Sequence, residues 1–96
     1  MKIEKIRGSS YKVTNPAWMQ DYYYSYSQLM LLVDWNEKKI HINIKKYSVT
    51  TSRHTNIFKS VDHADVERKK ENGWTIVESV GLDVPSSVAQ RLVVNQ

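Results

Sequence analysis

No cysteine occurs in the 96 residues. That removes disulfides, zinc ribbons and thiol nucleophiles from consideration, and it suits a reducing compartment. Glycine is scarce as well: Gly8, Gly73 and Gly81 are the only three, and all read as punctuation. The sequence therefore has no phosphate-cradling loop, no dinucleotide fingerprint and no nucleophile elbow. No apolar run approaches the roughly 18 residues that span a bilayer; the longest, Leu29 to Val33, has the length of a strand. The opening residues Met1 to Ile6 interleave Lys2, Glu4 and Lys5 with apolar positions, unlike a signal peptide. His41, His54 and His63 are too scattered for any metal-ligand spacing. A cytoplasmic protein without cofactor, metal or membrane contact is the expectation.

What is present describes one α+β domain covering residues 1–96, with apolar and charged residues in globular proportion. Lys2 to Arg7 alternates enough for a first strand, Gly8-Ser9-Ser10 breaks it, and Tyr11-Lys12-Val13 resumes a paired segment. Asn15-Pro16 signals a turn. Leu29, Leu31, Val33 and Trp35 form one face of a strand and Met30 and Leu32 the other, so both faces are expected to be covered. Residues 35–38 supply a turn into Lys39 to Lys45, which alternates without a fault. Residues 48–58, rich in Ser and Thr, read as a third strand ending at Ile57-Phe58 or as an extended loop.

Asp62, supported by Asp65, reads as the cap of a short helix near 62–72, stopped by Asn72-Gly73. Residues 74–80 read as a further strand. Asp83 to Ser87 opens a C-terminal helix whose Val84, Val88 and Leu92 make one apolar stripe. The expected architecture is a small antiparallel sheet of four or five strands, with the short helix near 62–72 and the C-terminal helix packed on one face. That helix covers one face only. The other is left for the aromatic segment 16–26 or for a second copy of the chain, a homodimer.

Charge is distributed unevenly. Residues 1–59 hold ten Lys and Arg against four Asp and Glu, whereas residues 60–96 hold four against six. From Lys38 to Lys59 there is no acid at all. On the alternating strand, Lys39, His41, Asn43 and Lys45 share the outward face and Tyr47 continues the row, at intervals of about 7 Å. With Lys38, Lys46 and Arg53 they make a basic surface suited to phosphate backbones, on which Lys and Asn are also competent readers of base edges. Tyr22, Tyr24 and Tyr26, following Trp18, line one face if their segment is extended. They then offer a stacking platform for bases or an anchor for a protein interface. The first expectation is thus a non-enzymatic domain whose basic hairpin contacts nucleic acid. The second is an inhibitor or adaptor anchored by tyrosines on an acidic protein surface. The third is a small metal-independent nuclease, for which Arg53-His54, in a basic loop, and His41 are the places to look. The bland account, a solvated basic strand and packed tyrosines, competes with all three.

Overall fold

Apolar alternation over the first half of the chain produces five consecutive strands, and a helical crossover returns the chain to pair a sixth. A computed structural model describes residues 2–60 and 65–82. The elements are β1 (Lys2–Arg7), β2 (Ser10–Asn15), β3 (Gln20–Ser25), β4 (Gln28–Asp34), β5 (Lys39–Asn43), α1 (Val49–Phe58), α2 (Val66–Glu71) and β6 (Thr75–Ser79). They form one sheet in the order β1-β2-β3-β4-β5-β6. Every neighbouring pair through β5 is antiparallel, whereas β5 and β6 run parallel. A parallel pair needs a long crossover, and here α1 and α2 supply it.

The fold is α+β, but three expectations change. The sheet has six strands, not four or five, and it is mixed. Residues 49–58 are a helix, neither strand nor loop, because Ser48 caps it: its side chain accepts from the Thr51 amide at 3.1 Å. The short helix is capped by Asp65, which accepts from the Arg68 amide at 3.1 Å. It ends as expected at Asn72, with Gly73 in the left-handed region at φ 86°. The proposed Asp62 cap and the C-terminal helix from Asp83 lie outside the described residues.

A bulge in β4 decides which side chains meet. Tyr23 pairs with Leu31 but Tyr24 pairs with Leu29, leaving Met30 as the extra residue. Leu29 therefore crosses to the face of Leu32, and Met30 joins Leu31, reversing their expected sides. One face carries Tyr23, Leu31, Val33, Ile40 and Ile42 and is covered by Phe58 of α1 and Val66 of α2. The opposite face gathers Val13, Tyr22, Leu29 and Leu32, with Ile3, Tyr24 and Leu82 packed against them. Trp35 and Trp74 meet edge to face at 5.2 Å, and the Lys69 ammonium lies 4.3 and 4.6 Å from their rings. This cation–π contact fastens α2 to the turn after β4.

Tyr23 is fully buried, and its hydroxyl has no hydrogen-bond partner among the described residues. Burial also pushes its pKa up, with the carboxylate of Asp21 adding to the effect. An unpaired buried hydroxyl costs about 1–3 kcal/mol. Tyr23→Phe is therefore expected to raise stability by about 1 kcal/mol. The urea midpoint checks this, and a lowered midpoint would mean that the hydroxyl is satisfied.

Candidate polyanion-binding groove

The site is built where β5 and β6 finish. β5 stops at Asn43, and the chain then turns across the end of the sheet before entering α1 at Val49. Asn43 holds this crossing in place. It is buried, and its Nδ2 donates to the Leu29 carbonyl at 3.0 Å and to the Tyr47 hydroxyl at 3.3 Å. Its Oδ1 accepts from the backbone amides of Lys45 and Gly81, each at 2.9 Å. The Ile44 amide donates to the Ser79 carbonyl at 2.8 Å, joining the same crossing to the end of β6.

Between residues 44–46 and α1 lies a groove of about 220 Å³, floored by Met30 and Ile42. Lys45 and Lys46 line one wall; Ser52, Asn56 and Lys59 line the other. Ser52, Asn56 and Lys59 share a stripe of α1 because they are spaced by four and three residues. No Asp or Glu among the described residues lines the groove. Among the described residues, no ion pair engages Lys45, Lys46 or Lys59. The Lys45 ammonium lies 5.3 Å from the centre of the Tyr47 ring, which is 38% exposed. Three cations around a concave surface with no acid among its described lining residues favour a positive local potential.

The residues expected to act together are divided by this geometry. Lys38 and Lys39 sit at the start of β5, about 13 Å of strand from its end, and Lys39 pairs with Glu37 at 3.5 Å. His41 is half-buried between its cross-strand neighbours Leu32 and Val77, on a face of β5 that is only partly open to solvent. Asn43 is committed to four hydrogen bonds, so it shapes the site without being offered to a ligand. Arg53 is exposed on α1, outside the groove lining. Of the expected row, Lys45, Lys46 and Tyr47 come together.

The tyrosine platform is also divided. Tyr22 is sealed in the core, its hydroxyl donating to Gln20 Oε1 at 2.7 Å and accepting from Asn15 at 3.3 Å. Tyr24 is half-buried on the same face, with its pKa pushed up to about 12 by burial. Tyr26 adopts φ 55° in the β3–β4 turn and is exposed, its ring 6.1 Å from His54. His54 is buried on α1, not exposed in a loop, and its Nδ1 lies 2.7 Å from Ser25 Oγ. His41 faces the opposite side of the sheet from α1, so the two imidazoles do not converge on one substrate.

The sequence pattern of a family of unknown function, DUF8033, matches residues 1–73. The chain belongs to this family. No curated protein and no solved structure matches it. The DUF8033 span carries β1 to α2, and with them Lys45, Lys46, Lys59 and the whole groove lining.

Ser52, Asn56 and Lys59 were not among the residues singled out from sequence. Lys59 closes the acid-free stretch, but only a helical reading of 49–58 places it on one stripe with Ser52 and Asn56. The signal available was Ser48 three residues before Thr51, a cap whose partner is not the usual Glu or Gln.

Proposed function

We propose that this chain is a non-enzymatic nucleic-acid-binding domain whose groove between residues 44–46 and α1 receives phosphate groups. The observation that supports the reading is the convergence of Lys45, Lys46 and Lys59 on a concave surface with no acid among its described lining residues. Ser52 and Asn56 add neutral donors suited to phosphate and sugar oxygens. The basic surface of the hairpin is thereby moved from the strand face to the end of the sheet.

Fluorescence anisotropy with labelled oligonucleotides at low and physiological salt tests it. Affinity is expected to fall with salt at a log–log slope of about −0.7 to −0.9 per phosphate neutralised. Lys45→Ala with Lys46→Ala should flatten that slope by about 1.5 and weaken binding at least tenfold. The pair Lys38→Ala and Lys39→Ala, at the other end of β5, should have the smaller effect. No binding at low salt would overturn the proposal.

A second reading, a protein-interaction module, takes Trp18 and Met19 as its anchors in place of the tyrosines first expected. Trp18 and Met19 are 39% and 50% exposed in the β2–β3 turn, and such side chains anchor protein interfaces. A protein-bound complex resting on them would persist at high salt and fail on Trp18→Ala.

A further inference from the structure

We infer that the groove takes single-stranded nucleic acid and not duplex, with Tyr47 as the platform for an unpaired base. This rests on the nucleic-acid reading above and adds which form is bound. The side chains that accompany the cations favour this form. Ile44 is 47% exposed, Tyr47 38% and Val49 71%, all on the segment that also carries Lys45 and Lys46. A duplex presents phosphates and sugars outward and keeps its base faces stacked, so it would leave these apolar groups in water. An unpaired strand brings phosphates to the lysines and base faces to these neighbouring apolar side chains at the same time.

The shape agrees with that assignment. The lysines border a groove, and its α1 wall from Ser52 to Lys59 is about 10 Å long. A groove of about 220 Å³ with a wall of that length has room for a short piece of one backbone, whereas a duplex would meet only its rims. Tyr47 is held rather than loose. Its hydroxyl accepts from Asn43 at 3.3 Å, and the Lys45 ammonium lies 5.3 Å from the ring centre. A ring already fixed in place loses little freedom when a base stacks on it.

The test compares labelled oligo(dT) and oligo(U) with duplexes of the same length, using the wild-type chain, Tyr47→Ala and Tyr47→Phe. Expected is at least a tenfold preference for the single strands. Tyr47→Ala should weaken single-strand binding about tenfold while leaving its salt slope unchanged, since no charge is removed. Tyr47→Phe, which keeps the ring, should bind within about twofold of wild type. Equal affinity for duplex and single strand, or full single-strand affinity in a folded Tyr47→Ala variant, would overturn this inference while leaving the nucleic-acid reading intact. Absence of binding to every oligonucleotide at low salt would overturn both.

Discussion

Phe58→Ala is expected to destabilise the fold by about 3–5 kcal/mol, the range for removing a large ring from a packed core. Phe58 is fully buried, with its ring centre 5.3 Å from that of Tyr23 and 6.3 Å from that of His54. It is the large apolar anchor of α1: Val49 is 71% exposed, and the other buried residues of the helix are Thr51, His54 and Thr55. Small domains have total stabilities of about 5–15 kcal/mol, so the loss would consume a large share. Urea unfolding followed by circular dichroism should show a lower midpoint with an unchanged slope. A shift worth less than 1 kcal/mol would mean that α1 is held by something other than this ring. Because α1 is one wall of the groove, oligonucleotide affinity should fall alongside stability.

Asn43→Ala should cost about 2–4 kcal/mol for a different reason. The side chain leaves little space behind, but its loss strands the Leu29 carbonyl and the amides of Lys45 and Gly81, which it bonds at 2.9–3.0 Å. Each buried group without a partner costs about 1–3 kcal/mol, reduced where water gains access. Asn43→Asp separates the two halves of the role. It keeps an acceptor for the amides but replaces the donor aimed at the Leu29 carbonyl by an oxygen, so it too should destabilise. Calorimetry on both variants checks this. Stabilities within 0.5 kcal/mol of wild type would show that the crossing over the sheet end is held elsewhere.

How far the sequence foretold this arrangement depended on whether burial followed a simple period. β1, β2, β4, β5 and β6 were legible because apolar and polar residues alternate or cluster between turn signals, and the Asn72-Gly73 stop followed from turn chemistry. β3 was not counted because Tyr22 and Tyr23 are adjacent and both buried, one in each core. An interior strand sealed on both faces shows no alternation. The bulge at Met30 exchanged the expected faces of two β4 residues, a shift of pairing with no mark in composition. α1 was hidden because its inward stripe is Thr51, His54, Thr55 and Phe58. Three of those four are polar, satisfied internally by bonds such as Ser25 Oγ to Thr51 Oγ1 at 3.1 Å. The charge asymmetry was visible, but its partition was not. Lys45 and Lys59 line one groove only because the crossover folds α1 back over β3 and β4.

That crossover also sets an order of assembly. The five strands from β1 to β5 follow one another through short turns, so each pairing closes a small loop and costs little entropy. β6 must instead wait for residues 44–74 to come back to β5, and non-local contacts of this kind form slowly. The groove belongs to this late step, because the Asn43 side chain completes its bonds only when Gly81 arrives beyond β6. A ligand in the groove would draw its binding energy from the last-formed part of the molecule. By mass action it would slow the departure of β6 more than it alters the early meander.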